Sequence, residues 1–574
     1  MDSELAKPLI DLHLDNLSGN AVVIPYVQPI TLLLPLVAAL VISMVIITVM
    51  VRLAPRLGLI DEPDPRKVHS SPVPRIGGFG IVLGTLLPVV LMLPFDSALK
   101  AYVFGSLVLF GFGVLDDCRE LGHYVKFIGQ FIAVIAVVYF GDVFVTNLPL
   151  MGSEPVPEAV SRPFTVFAMV GMINAINHSD GLDGLAGGES MLSLGGIAYL
   201  AFLSGGATVA LIAFATIGGL FGFMRFNTHP ARIFMGDSGS QFLGFTLGFL
   251  AVLLTQRVNP ALSPAIPALL LGLPIADIIA VLIQRIYHGM NWFVASKNHI
   301  HHRLLDLGFQ HHESVMVVYS VQALLVFCGV AMPYESDLHI LLLYAAVVMA
   351  VFGLLYAAEC LGWRMHTDNG EAADEGMYQA LMRSHLLPRV AYGLVFAGIS
   401  LFMVTGAFLA TRIPNDFTIA AMALSVLLLV RLLGSYRLAF LPLRLLVYVA
   451  IAFVVYLTNI YQPEFMTGAD PLTYGFFGLI LVSIALAIRY ANGGSFNVTP
   501  MDFLLVLALL ALAVLASKGM VDLTMTAVAL KTIILFYAAE LILNRIEYRW
   551  NVFTVSILGS LLVIGVRGLI ANFV

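Results

Sequence analysis

Hydrophobic residues along this chain come in long runs rather than in alternation. Runs of roughly 16 to 23 apolar residues recur from end to end, and each can cross about 30 Å of hydrocarbon as a helix. The period-two pattern of a membrane β-barrel is not seen. A backbone in lipid must satisfy its own hydrogen bonds, which leaves helices. Eleven runs lie near 29–51, 76–95, 100–115, 127–147, 163–178, 186–204, 207–224, 239–254, 265–286, 315–333 and 339–358. Seven more lie near 390–411, 417–433, 440–461, 472–488, 502–517, 522–543 and 551–571. The expected fold is all-α, a polytopic helical membrane protein. The polar stretch 361–389, which includes Gly-Trp-Arg-Met-His-Thr-Asp-Asn-Gly-Glu, interrupts the hydropathy and predicts a linker. It separates a first membrane domain, 29–360, from a C-terminal one, 390–574; residues 1–28 are expected outside. No internal repeat is evident.

A chain of 574 residues that is 60% hydrophobic and 11% charged, with mean hydropathy +0.95, is not a large soluble core. The net charge of −6 adds little, and the placement of charge adds more. With the N-terminus outside, 21 of the 29 Lys and Arg fall on one side, among them Arg66, Lys67, Arg75, Arg119, Lys126, Arg232 and Arg303. That bias predicts the cytoplasmic side of a bacterial inner membrane. The first segment carries Asp2, Glu4, Asp11 and Asp15 against a single Lys, unlike a secretory signal, so no cleaved signal is expected. Cys118, Cys328 and Cys360 are scattered and read as packing residues, not as a disulfide framework or metal cluster.

Four polar clusters sit at the ends of apolar runs, all on the same predicted side. Carboxylates in or beside hydrocarbon are costly, which makes each cluster a functional candidate. Asp116-Asp117 closes the third run. The pair either marks the interface or needs a cation, a partner or a shared proton, because adjacent carboxylates repel. Asn174-Ala-Ile-Asn177-His-Ser-Asp180-Gly-Leu-Asp183-Gly gathers two Asn, two Asp and a His, with glycines that permit close approach to a ligand. Oxygen donors on such a segment suit magnesium. Phe234-Met-Gly-Asp237-Ser-Gly-Ser240 opens another run, where Asp237 is either an N-cap or a ligand and turn NH groups can hold phosphate. His299-Ile-His301-His302-Arg303 lies in loop 287–314 beside Lys297. With no Cys and no fixed partner spacing, it reads as a phosphate-binding group rather than a zinc site, and His311 and His312 read as solvated loop. Loop 52–75 contains Arg66-Lys67-Val-His69 and Pro74-Arg75-Ile-Gly77-Gly78. Its prolines predict an extended path that can meet an anionic nucleotide, although topology alone also accounts for its basic residues.

Taken in order, these signatures resemble the polyprenyl-phosphate N-acetylhexosamine-1-phosphate transferases, in particular the bacterial undecaprenyl-phosphate branch with a His-x-His-His-Arg motif. The resemblance implies an enzyme that moves a sugar 1-phosphate, GlcNAc 1-phosphate first among them, from a UDP-N-acetylhexosamine to undecaprenyl phosphate. UMP would leave, and a lipid-linked envelope glycan such as O-antigen or capsule would begin. It also implies that Asp237 and Asn177 ligate Mg2+, with Mn2+ as an alternative. Asp116 and Asp117 would sit at the lipid phosphate with the phosphate-binding Lys126. His299, His301, His302 and Arg303 would hold the diphosphate; Lys67, Asp180 and Asp183 would line the nucleotide site, with His69 at the substrate beside them. No nucleic-acid partner is expected, and a homodimer is an allowed assembly.

Two features depart from that family. Ser296 stands where many relatives carry an acidic residue, and 390–574 has no counterpart in the catalytic region. Lys531, Glu540 and Arg431 in that extension read as interhelical pairing or snorkelling before a transport or lipid path. A transporter, the rival from another class, predicts mid-membrane charge and symmetric halves. A noncatalytic lipid-binding scaffold has no need of the carboxylate set.

Overall fold

A computed structural model of the chain describes residues 29–62, 72–119, 121–152, 154–290, 298–366, 386–433, 443–463, 470–489, 523–543 and 552–573. Among them, 13 helices are long and apolar enough to cross a membrane, and three shorter apolar helices accompany them. The all-α polytopic architecture expected from the hydrophobic runs is the one that forms. The predicted run 502–517 and most of the linker lie outside the described residues, as do Lys67 and His69. Two compact units result, one of the described residues up to 366 and one of those from 386 onward.

The first unit begins with α1 (Pro29–Leu57), a two-residue β1 (Ile60–Asp61) paired antiparallel with β2 (Val73–Pro74), and α2 (Gly77–Met92). Then come α3 (Ser97–Arg119), α4 (His123–Ile135) with a π-helical turn at Ala136–Phe140, α5 (Glu158–Ser179), α6 (Leu185–Leu203) and α7 (Ala207–Asn227). It closes with α8 (Asp237–Leu253), α9 (Ile266–Leu270), α10 (Gly272–Tyr287), α11 (Ile300–Asp306), α12 (His311–Ala331) and α13 (Asp337–Cys360).

Helices in lipid gain little from burying apolar surface against one another, so small residues that let backbones approach do the packing. Ala39 and Ser43 of α1 meet Gly80 and Gly84 of α2 on one side and Gly218 and Gly222 of α7 on the other. A Cβ at Gly218 would come to 2.1 Å from the Leu36 carbonyl oxygen. Composition follows exposure. The apolar stretch of the span that α8 begins is wholly buried and has mean hydropathy 1.4, whereas α13, buried over only 11% of its apolar stretch, has 2.5.

One predicted span is two helices. The run 265–286 breaks at Leu271, because Pro274 has no N–H to give and its ring crowds the preceding turn. The freed groups find partners across the bundle. Leu273 donates to Gln322 Oε1 at 3.1 Å, Gln322 Nε2 donates to the Leu270 carbonyl at 2.9 Å, and the Tyr344 hydroxyl caps the Gly272 carbonyl at 2.9 Å. The start of the predicted linker is docked. Met365 N–H donates to the Leu307 carbonyl at 2.9 Å, and His366 Nε2 lies 3.0 Å from the Glu313 carboxylate.

The second unit holds α14 (Leu386–Leu409), α15 (Asn415–Leu433), α16 (Leu443–Ile460), α17 (Asp470–Arg489), α18 (Leu523–Leu543) and α19 (Val552–Phe573). Helical spacing lines its core with Val395, Ile399 and Met403 of α14, Val447, Ile451 and Val454 of α16, Leu535 and Ala539 of α18, and Ile557 and Leu561 of α19. Several of its charged side chains find polar partners inside the bundle, whereas Arg431 Nε is buried with no hydrogen-bond partner among the described residues. Lys531 donates to Asn459 Oδ1 at 2.7 Å, the Tyr448 hydroxyl donates to Glu540, and Arg567 caps the carbonyls of Ala407, Phe408 and Ala410 at the C-terminal end of α14.

Candidate active site

The four motifs converge because each ends or begins a helix. Asp116 and Asp117 close α3, Lys126 lies in the first turn of α4, Asn177 near the end of α5, and Asp237 opens α8. The two neighbouring aspartates are both buried and point to different partners. Asp117 accepts hydrogen bonds from the Asp237 N–H (2.8 Å), the Ser238 N–H (3.2 Å) and the Ser238 hydroxyl (2.8 Å). It therefore caps the start of α8 from another helix, where unpaired N–H groups and the helix dipole favour negative charge. Gly236 makes this fit: its φ of +74° is left-handed, and a Cβ there would come 2.5 Å from Asp117 Oδ2.

Asp116 accepts from the Leu121 N–H at 2.6 Å and pairs with Lys126 Nζ at 2.7 Å. The same ammonium lies 2.8 Å from Asp237 Oδ2. The mutual repulsion expected of Asp116-Asp117 is thus relieved by an ammonium for one and a helix end for the other. Asp237 also accepts from Asn177 Nδ2 (3.2 Å) and Gln241 Nε2 (3.1 Å), and Asn177 Nδ2 donates to Ser240 Oγ (2.8 Å). Three carboxylates stand against one lysine, with amides around them. Hard oxygen donors in excess of positive charge fit a divalent cation such as magnesium.

The second and fourth motifs meet directly. A Cβ at Gly181 would lie 2.2 Å from His301 Nε2, so the Asp180-Gly181 turn rests against the histidine loop. His178 stacks on His299 with ring centroids 5.2 Å apart, and His301 and His302 follow at 4.3 Å. Burial first, and the His302 imidazole next, hold His301 down to about 3, so this ring is neutral near pH 7. Asp180 is pushed up to about 7 by desolvation first and then by the carboxylates of Asp237, Asp117 and Asp183.

Several groups were not anticipated. Asp277 of α10 accepts from His299 Nδ1 (2.7 Å) and the Ile300 N–H (2.9 Å), anchoring the histidine loop. Its signal was present, a lone carboxylate inside an apolar run. Gln130 and Gln241 extend the amide network, Gln130 Nε2 lying 3.3 Å from Gln241 Oε1. His311 is not solvated loop. It is largely buried, and its Nε2 accepts the Asp183 N–H at 3.1 Å. Arg303 is drawn elsewhere, in a two-pronged pair with Glu359 of α13 at 2.7 and 2.8 Å. Pro74-Arg75-x-Gly77-Gly78 is a docking strip: Gly77 and Gly78 donate to the Phe234 and Met235 carbonyls, both at 2.9 Å, and Phe234 N–H returns to Pro74. Arg75 pairs with Asp61 at 2.5 Å.

The family model of glycosyl transferase family 4 matches residues 99–255, a stretch that runs from α3 to the end of α8. Over 336 residues the chain is 32% identical to the Bacillus subtilis (strain 168) protein named "Probable undecaprenyl-phosphate N-acetylglucosaminyl 1-phosphate transferase", covering 57% of this chain and 93% of that one. The Haemophilus influenzae protein named "Undecaprenyl-phosphate alpha-N-acetylglucosaminyl 1-phosphate transferase" is 30% identical over 294 residues, 49% of this chain and 81% of its own. A protein of that name from Escherichia coli O157:H7 is 26% identical over 325 residues, 55% and 87% of the two chains.

Proposed function

The chain belongs to glycosyl transferase family 4, and on that premise we propose that it transfers GlcNAc 1-phosphate from UDP-GlcNAc to undecaprenyl phosphate and releases UMP. The observation that carries the reading is Lys126 held between Asp116 and Asp237, a charge cluster at helix ends that suits phosphate chemistry. The reaction starts a lipid-linked glycan of the cell envelope, and the site faces the cytoplasm across a bacterial inner membrane, in line with the distribution of Lys and Arg.

Phosphoryl transfer asks for positioning and charge neutralisation. An oxygen of the lipid phosphate attacks the sugar-linked phosphorus of the donor. A new P–O bond forms there as the diphosphate bridge breaks, and UMP carries away the bridging oxygen. A phosphate monoester with a second pKa near about 6 is mostly dianionic at neutral pH, so no strong general base is required. Lys126 binds the phosphate and is oriented by Asp116. Asp117 positions the first turn of α8, and with it Asp237. Magnesium would be held by Asp237 and Asn177 and would supply charge neutralisation for the donor diphosphate. Asp180 and Asp183 are assigned to the nucleotide side and His299, His301 and His302 to the diphosphate, with Asp277 fixing His299. The test is purified protein with undecaprenyl phosphate and a panel of UDP-N-acetylhexosamines, with and without chelator. UMP release with UDP-GlcNAc that stops on chelation is expected, and its absence with every donor would end the proposal.

A further inference from the structure

We infer that Asp183, His229 and His311 form a second cation site, built for a divalent first-row transition ion and for zinc in particular. The three come from remote segments: the turn between α5 and α6, the connection between α7 and α8, and the first residue of α12. Their ligand atoms all lie within 4.8 Å of one another. His229 Nδ1 is 2.7 Å from Asp183 Oδ2, and His311 Nε2 is 3.9 Å from the same oxygen. The two imidazoles stack with centroids 4.1 Å apart, and one ring would turn out of the stack to let both nitrogens face a shared ion.

The protonation pattern suits ligation. His311 Nε2 accepts the Asp183 N–H at 3.1 Å, so that nitrogen is unprotonated, and an ion would take its lone pair in place of this hydrogen bond. The ring proton then sits on Nδ1, which is buried with no hydrogen-bond partner among the described residues. Asp183 Oδ2 also accepts the Ala231 N–H at 3.1 Å, an outer contact of the kind that orients ligating carboxylates. Binding would place the ion between His229 Nδ1 and Asp183 Oδ2, with the neutral imidazole carrying its proton on Nε2 instead.

Donor chemistry chooses the ion. Two imidazoles and one carboxylate are borderline ligands that suit zinc and its neighbours, whereas magnesium prefers oxygen alone. The site shares no residue with the magnesium ligands assigned to Asp237 and Asn177, but it shares Asp183 with the nucleotide side, so the ion would stand beside the bound nucleotide. His229 is 44% exposed, which leaves a coordination position to water. The far end of the same turn is already fastened, by Gly184 N–H to Asn227 Oδ1 at 2.8 Å and the Tyr319 hydroxyl to the Gly184 carbonyl at 2.6 Å. Through Asp183 the ion would add a tie at this same end, beside Gly184, to the turn that carries Asp180.

Untagged full-length protein, stripped with chelator, loaded with Zn2+ and desalted, is analysed by elemental mass spectrometry. The Co2+ form is read by visible absorption. About one zinc per chain is expected, retained against excess Mg2+. His229→Gln and His311→Gln should both lose the zinc and the Co2+ band. Asp237→Asn and His339→Gln, a surface histidine on α13, should keep them. Because His229 is partly exposed, its variant tests the site even if His311→Gln does not fold. Wild type that retains no zinc, a His229→Gln protein that keeps it, or equal loss in the two control variants would each overturn the site.

Discussion

Lys126 in α4 and Lys531 in α18 are both lysines of apolar helices, and they are used differently. Lys126 joins carboxylates from α3 and α8, with Asp117 immediately beside them. Lys531 donates a hydrogen bond to the neutral amide of Asn459 and lies 5.7 Å from the Phe477 ring centroid. The first arrangement leaves carboxylates in excess and draws on three helices, so its charge is completed by something that binds. The second is matched within its own bundle, as a structural polar contact is. By this comparison the chemistry belongs to the first unit.

The sharpest way to break the contrast is to remove one carboxylate from each unit. Asp237→Ala should lower transfer by at least about a thousandfold at unchanged expression, while Glu540→Gln stays within about twofold. Comparable losses from the two would erase the distinction. Asp117→Ala removes three acceptor contacts from the start of α8 and should cost about 2 kcal/mol of stability in detergent melts. Turnover should fall with it, by about a hundredfold. An Asp117→Ala protein as stable as wild type would show that the cap is not what this residue supplies.

Acid should act through His301. Its folded pKa of about 3 lies below the ordinary value of 6.5, so between those values the unfolded chain binds a proton that the folded one does not. Stability therefore declines as pH falls through this window, and His301→Gln should flatten the slope of melting temperature against pH. An unchanged slope would remove His301 from the account. Glu359→Gln should cost only about 0.5–1 kcal/mol and leave turnover nearly intact, since it touches Arg303 rather than the carboxylates. A small effect is also expected from a chain ending after His366, which retains the docked Met365 and His366. Transfer within about threefold of the full chain would fit. A folded product that binds donor but releases no UMP would place part of the reaction in the extension.

The helices were legible because lipid converts each apolar run into one element. The run 265–286 misled because the partners that tolerate its break, Gln322 and Tyr344, lie far along the chain. The motif carboxylates were legible by type and not by role. That Asp117 would cap α8 depends on α3 and α8 approaching at Gly236, which spacing does not disclose. Arg303 was assigned by motif to a diphosphate and is engaged by a glutamate 56 residues later. His229 gave no local signal, because its partner Asp183 lies 46 residues away.

The complete burial of α8 also bears on how the protein is made. A ribosome delivers this helix after α2, α3 and α5, the neighbours that will surround it, and it has no face made for lipid. The cross-helix partners of Ser238, Ser240 and Gln241 in its first turns, Asp117, Asn177 and Gln130, are met only when that vacancy stands ready. The segment that brings Asp237 to the site is thus one the bilayer cannot shelter on its own, and its assembly is set by the order of arrival of its neighbours as much as by its own greasiness.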